Sequence, residues 1–192
     1  AVYLPENQAE IVALVKQCNR DGVRLTVSGN GTGLTGARVP EGGIVVSTEK
    51  LNEIIELNQD EKYVRVQPGI ILKALQDHVE AQNFFYPPDP TERNCFVGAT
   101  VATNSSGARS FKYGPTRDYV LGMRVVLPTG ETLCLKRGQI RASGDAFSFQ
   151  SDQGSPYMFT MPKFKMPQTK NASGYFCQEN MDLMDLFIGS EG

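Results

Sequence analysis

Apolar residues enter this chain in two rhythms. Behind Asn7, whose short side chain suits a helix N-cap, Ile11, Val12, Leu14 and Val15 share one face of a 3.6-residue repeat that Asp21-Gly22 ends. Residues 23–27 alternate instead and carry β-branched side chains, as do residues 44–47, so both read as strands with a glycine-rich loop between them. Val2-Tyr3-Leu4-Pro5 ahead of them is extended and apolar. Leu51, Ile54, Ile55 and Leu57 have the spacing of a short helical turn, and the polar run Asn58-Gln59-Asp60-Glu61 reads as the connector between a first lobe, residues 1–58, and a second, 59–192. Residues 63–66 read as a strand turned by Pro68-Gly69, and 70–82 as a helix with Ile71, Leu72, Leu75 and Val79 inward. Residues 120–127 and 131–135 flank Pro128-Thr129-Gly130, a hairpin signal that gives the second lobe antiparallel pairing. From about 137 to 170 the chain turns polar and aromatic, with Pro156, Pro162 and Pro167 and no evident period, and is expected to form an inserted loop. The whole reads as helices and strands divided into two lobes.

Composition narrows the partners. With 192 residues, 40% of them hydrophobic, the chain buries a real core. Its net charge is −2 and its 19 basic residues are scattered, so it lacks the footprint of a nucleic-acid or anionic-membrane binder, and a small ligand is the expected partner. Cys18, Cys95, Cys134 and Cys177 lie far apart with no C-x-x-C pair, which suits reduced thiols in a cytoplasmic protein rather than a zinc site or redox dithiol. No apolar run reaches the ~20 residues of a membrane span, and the first residues lack the layout of a signal peptide. The chain starts inside an extended stretch without Met and stops in a glycine loop, so it is expected to be an excised domain.

Candidate chemistry gathers in Ser28-Gly29-Asn30-Gly31-Thr32-Gly33-Leu34-Thr35-Gly36. Glycines at alternate positions let successive N–H groups converge on one point, a nest that suits a phosphate or pyrophosphate. Gly31-x-Gly33-x-x-Gly36 matches the dinucleotide fingerprint after a strand, yet Val39-Pro40-Glu41-Gly42-Gly43 follows where a Rossmann site needs a helix. A nucleotide-hydrolase P-loop fails as well, for want of Gly-Lys-Ser/Thr. Taken alone, the loop remains open to being a plain turn.

A second cluster, residues 96–107, is almost entirely small: Phe96-Val97-Gly98-Ala99-Thr100-Val101-Ala102-Thr103-Asn104-Ser105-Ser106-Gly107. A flat ligand fits against such a backbone, and so does close packing. Tyr86-Pro87-Pro88-Asp89-Pro90 is a stiff loop bearing one carboxylate, and Tyr113-Gly114-Pro115-Thr116-Arg117-Asp118 places a hydroxyl and two charges before a strand, where a plain surface pair of Arg117 with Asp118 is the alternative to a site.

These motifs, with Leu186-Phe187-Ile188-Gly189-Ser190-Glu191-Gly192, resemble in their order the PCMH-type FAD-binding domain of the vanillyl-alcohol oxidase and p-cresol methylhydroxylase superfamily, and within it glycolate oxidase FAD subunits and D-lactate or D-2-hydroxyglutarate dehydrogenases. The resemblance implies an α+β fold in two lobes with FAD held between them. Ser28, Gly29, Asn30, Gly31, Thr32 and Gly33 would face the pyrophosphate, with Gly36 and Ala37 continuing that wall. Gly98, Ala99, Thr100, Thr103, Asn104, Ser106 and Gly107 would line flavin and pyrophosphate from the second lobe. Pro88, Asp89 and Thr91 would lie at the isoalloxazine end, and Tyr113, Gly114, Thr116, Asp118, Gly189, Glu191 and Gly192 would complete the wall.

The resemblance also implies a reaction: hydride transfer from a 2-hydroxy acid to flavin N5, with an electron acceptor downstream. The base, the substrate arginine and any metal ligands are expected in a cap domain outside these residues, so these residues alone are expected not to oxidise substrate. Thr32 stands where some members tether flavin through histidine, which implies non-covalent FAD, although Cys95 is placed to form such a tether. Ala99 replaces a glycine usual in the hydroxy-acid enzymes, and the only histidine, His78, lies on the 70–82 helix as a candidate base or a structural residue. An enolpyruvyl-sugar reductase of related fold, or a flavin-free module that keeps the fold, are the alternatives.

Overall fold

Asn7 caps the first helix as its side chain predicts: Oδ1 accepts the Glu10 N–H at 3.1 Å, and α1 (Gln8–Asp21) runs to Gly22, whose φ of 65° closes it. The computed structural model describes residues 1–163, 165–167 and 175–191. Around α1 stand β1 (Val2–Tyr3), β2 (Leu25–Ser28) and β3 (Ile44–Ser47), a parallel sheet in the order β1-β3-β2 in which Ser28 pairs with Ser47. No helix occupies residues 29–43 between β2 and β3. That connection is the glycine loop, and it leaves from buried Ser28 at the end of an edge strand.

Strand β4 (Ile54–Asn58) replaces the expected helical turn. It pairs antiparallel with β5 (Tyr63–Val66), and a register shift between Ile54 and Glu56 breaks the alternation that would have marked it as a strand. The polar residues 58–61, expected as a connector between lobes, are therefore the turn of this hairpin, so a boundary at residue 58 would divide paired strands. Helix α2 (Leu72–Glu80) follows, shorter than predicted at both ends. Leu72, Leu75 and Val79 are buried in it as expected, but Ile71 precedes the helix, bridges to Phe96 and is exposed. One core joins Ile70, Leu72, Leu75, Val79, Cys95 and Val97 to the β4–β5 hairpin.

Short helices α3 (Val97–Ala102) and α4 (Ser110–Tyr113), then a 3-10 turn Thr116–Tyr119, lead into β6 (Gly122–Val126) and β7 (Thr132–Lys136), the predicted antiparallel hairpin. Helix α1 packs on it, with Asn19 Nδ2 donating to the Pro128 carbonyl at 2.6 Å. The stretch read as an inserted loop contains a third hairpin, β8 (Ala146–Gln150) with β9 (Pro156–Thr160), and its residues 164 and 168–170 lie outside the described residues. Its signal is the alternation of Phe147 and Phe149 opposite Tyr157 and Phe159; Phe147 is buried, and Phe149 stacks on Tyr157 at 5.5 Å. Phe147 joins the second core with Leu133, Leu135, Leu183, Met184 and Ile188, to which α5 (Met184–Phe187) contributes. The fold is α+β, as predicted.

Candidate functional site

Three backbone segments converge: the loop after β2, the N-terminal part of α3, and residues 189–191 beyond α5. Gly29 meets the second segment, since a Cβ built on it would lie 3.1 Å from the Ala99 Cβ and 3.8 Å from the Phe96 ring. Ala99 thus fills space opposite Gly29 that a second glycine would leave empty. Gly189 N–H donates to the Val101 carbonyl at 3.0 Å and Glu191 N–H to the Ala102 carbonyl at 2.8 Å, which seats the third segment on the end of α3. Thr35 Oγ1 then donates to Glu191 Oε2 at 3.4 Å and joins the first loop to the third segment.

The glycine loop has the open backbone that an anion nest requires. Gly31 has φ +74° and Gly36 φ +81°, in the region L side chains avoid, whereas a Cβ on Gly33 would meet nothing within 4 Å. Ser28 is buried and its Oγ donates to the Gly29 carbonyl; Asn30 Nδ2 donates to the Asn94 carbonyl at 2.7 Å. Asn30 and Phe96 border an open cleft of about 400 Å³ that continues past Glu49, Asn52 and Ile70. Thr32, Gly33 and Ala37 are placed on the same loop, partly or fully exposed.

In the second cluster the side chains bind neighbouring backbone. Thr100 Oγ1 donates to the Val97 carbonyl, Thr103 Oγ1 to the Ala99 carbonyl, and buried Asn104 (φ 46°) accepts the Arg117 N–H at 3.0 Å. Thr116 is fully buried, and both its N–H and its Oγ1 donate to the Ser105 carbonyl. These hydroxyl and amide groups hold neighbouring loops in place. Asp118 Oδ2 lies against the Cα of Gly114, and the Tyr113 carbonyl accepts from Tyr119 Oη at 2.6 Å. Gly98 donates its N–H to the Pro68 carbonyl. A Cβ on Gly107 would lie 1.8 Å from the Asp89 carbonyl oxygen, so only glycine permits the 105–107 segment to rest on the proline loop. In that loop Pro88 is buried, Thr91 is exposed, and the Asp89 carboxylate is engaged by Arg93 at 2.9 Å and Arg109 at 3.3 Å. Ser106 is half-buried between these contacts, and Gly192 lies outside the described residues.

Arg117 and Asp118 do not pair. Arg117 reaches Asp185 instead, with Nη1 on Oδ1 at 2.8 Å and on the Asp185 carbonyl at 2.9 Å, while Nη2 donates to the Ile188 carbonyl at 2.6 Å. Arg137 Nη1 shares the same Oδ1 at 2.8 Å. Asp185 and Arg137 were not expected from sequence as site residues, and no local motif marks them.

Cys95 is buried beside Tyr86, and burial, with Glu92 adding, pushes its thiol up to about 11. Such a thiol is neutral at ordinary pH and a poor nucleophile. Burial likewise raises the Tyr86 phenol. His78 is exposed on α2.

A glycine loop leaving a parallel sheet without a helix behind it, walled by a small-residue helix from another part of the chain, defines a nucleotide-binding module of α+β build. The chain belongs to the FAD binding domain family, which it matches over residues 1–136. It is 38% identical over 95% of its length to a D-lactate dehydrogenase of Anaerostipes hadrus, covering 31% of that protein. It is 34% identical along its whole length to glycolate oxidase subunit GlcD of Bacillus subtilis, and 32% to a D-2-hydroxyglutarate dehydrogenase of Xanthomonas citri, covering 34% of each. The chain thus spans about a third of the curated relatives it matches. Among solved structures an alkyldihydroxyacetonephosphate synthase superposes with a TM-score of 0.65 at 28% identity, over 71% of this chain and 28% of that one. The 6-hydroxy-D-nicotine oxidase of Arthrobacter nicotinovorans superposes at 0.66 and 18% identity, over 72% and 30%, and shares the fold. The residues present fit FAD: the loop offers open backbone at Gly33 and left-handed glycines on either side of it.

Proposed function

We propose that the chain is the FAD-binding part of a flavin-dependent oxidoreductase acting on a 2-hydroxy acid, and that it holds FAD without a covalent bond. The observation that carries the reading is the meeting of the 29–36 loop with α3 and residues 189–191, which gives one ligand three backbone walls. On this reading residues 28–33 hold the pyrophosphate with their amides, Gly36 and Ala37 extend that wall, and residues 98–107 lie against the cofactor from the other side. Pro88, Asp89 and Thr91 approach the flavin end, and Tyr113, Gly114, Thr116, Asp118, Gly189 and Glu191 keep the wall in shape. Bound FAD supplies the hydride acceptor. The chain's own part is to place the cofactor and keep bulk water from one side of it.

The substrate class follows from the relatives. D-lactate, glycolate and D-2-hydroxyglutarate share a hydroxyl on the carbon beside a carboxylate, and a domain this similar to the corresponding part of all three enzymes suits that chemistry. We assign the base to none of these residues, place the protein in the cytoplasm, and expect a separate electron acceptor. Among the described residues no helix is long and apolar enough to cross a membrane.

Two measurements test the reading. Titration of the chain with FAD, followed by flavin fluorescence, should show saturable binding; none at all would make it a flavin-free module. In the natural protein, anaerobic bleaching of the flavin by one of the three hydroxy acids supports the substrate class. Bleaching by NADPH alone would point to an enolpyruvyl-sugar reductase.

A further inference from the structure

The glycine loop is not a bare nest. The guanidinium of Arg38 lies on the Cα of Gly31: a Cβ built there would be 2.1 Å from Nη1, 2.3 Å from Cζ and 2.7 Å from Nη2. A turn brings it there. Gly36 takes φ +81°, and Val39 N–H closes back on the Gly36 carbonyl at 2.9 Å, so the chain reverses just after the loop and lays Arg38 over its own first half. Gly31 therefore has two reasons to be glycine, its left-handed φ and the seat it leaves for a cation.

Arg38 is also uncommitted. Nearby arginines are engaged: Arg24 with Glu41, and Arg93 and Arg109 with Asp89. Among the described residues no carboxylate lies within 4.0 Å of Arg38, which is exposed. A guanidinium resting on glycine backbone gains little there, yet its planar fork suits phosphate oxygens. Glu191, which touches this loop through Thr35, adds negative charge to the facing wall. A dianion bound between them needs a compensating cation.

We propose that Arg38 is the cationic partner of the FAD pyrophosphate, sharing its charge with the amides of residues 29–33. This rests on the reading that the pyrophosphate lies on this loop. Arg38 is a binding residue and takes no part in the chemistry.

The test compares FAD dissociation constants of the wild type, Arg38→Ala, Arg38→Lys and Gly33→Asp at about 50 and about 500 mM salt. Arg38→Ala should bind about tenfold more weakly at low salt, the gap should shrink to about threefold or less at high salt, and Arg38→Lys should fall between. Its melting temperature without FAD should match the wild type's, since the side chain is exposed. Wild-type affinity in Arg38→Ala, with binding lost in Gly33→Asp, would overturn the role of Arg38 and leave the loop as the site. Wild-type affinity in both would overturn the loop reading and the proposal with it. A loss in Arg38→Ala that is equal at both salts would make the side chain a packing element and overturn its role as a counter-charge.

Discussion

Arg117 and Asp185, 68 residues apart, meet at 2.8 Å with each side chain only 11% exposed, and the same guanidinium caps the carbonyls of Asp185 and Ile188. This pairing sets where residues 189–191 emerge beside α3. Arg117→Ala strands those carbonyls and leaves Asp185 to Arg137 alone, and should cost about 3 kcal/mol of folding stability. Lysine should not restore it, since one ammonium does not reproduce a fork that serves three acceptors. Urea unfolding of the two variants checks this, and FAD affinity should fall in both because the third wall loses its anchor.

Gly33→Asp separates ligand from fold. Gly33 does not have a positive φ and has open space where a Cβ would go, so the variant should melt within a degree or two of the wild type without FAD, roughly the range of exposed substitutions. With FAD at about 100 times its dissociation constant the wild type should gain roughly 2.7 kcal/mol, and the variant should lose that gain because its carboxylate opposes the pyrophosphate. An equal FAD-dependent shift in both proteins would show that the cofactor binds elsewhere.

Cys95 should not tether flavin. Acid precipitation of the FAD-loaded protein should leave a colourless pellet and yellow supernatant. With its thiol at about 11 and its side chain buried, Cys95 should also resist alkylation at pH 8 while exposed Cys134 reacts quickly. A yellow pellet that turns colourless in Cys95→Ala would reverse the assignment.

Glu131 accepts hydrogen bonds from Ser155 and Tyr157, then Ser151, and these hold its carboxyl below the usual value of 4.5. A carboxyl with a lowered folded pKa binds a proton more readily when unfolded, so its contribution is present above about pH 4.5 and is lost as pH falls through the lower folded value. Glu131→Gln should therefore flatten part of the acid-side loss of stability, and Ser155→Ala with Tyr157→Phe should do the same. Urea midpoints between about pH 3 and 6 measure it.

Where local rules act alone, the residues announced the structure: the Asn7 cap and Gly22 stop of α1, and the turn between β6 and β7. They misled at β4, because a bulge between Ile54 and Glu56 gives a strand the spacing of a helical turn. In β8 and β9 the alternation was present in four aromatic residues but diluted by exposed polar positions and prolines. The site shows the same divide. The glycine loop and small-residue cluster stand out by composition, whereas the partner of Arg117 and the seat of Arg38 depend on turns and packing that no nearby residue encodes. The hydrogen bonds by which the threonines and Asn104 of the second cluster fasten neighbouring loops were likewise not legible from composition.

The contact of Thr35 with Glu191 spans 156 residues and has a temporal consequence. A ribosome delivers the glycine loop early and the third wall late, so a growing chain holds only an unfinished seat for its cofactor until Glu191 has cleared the exit tunnel. On the proposed site, flavin loading becomes one of the last events in the maturation of this domain.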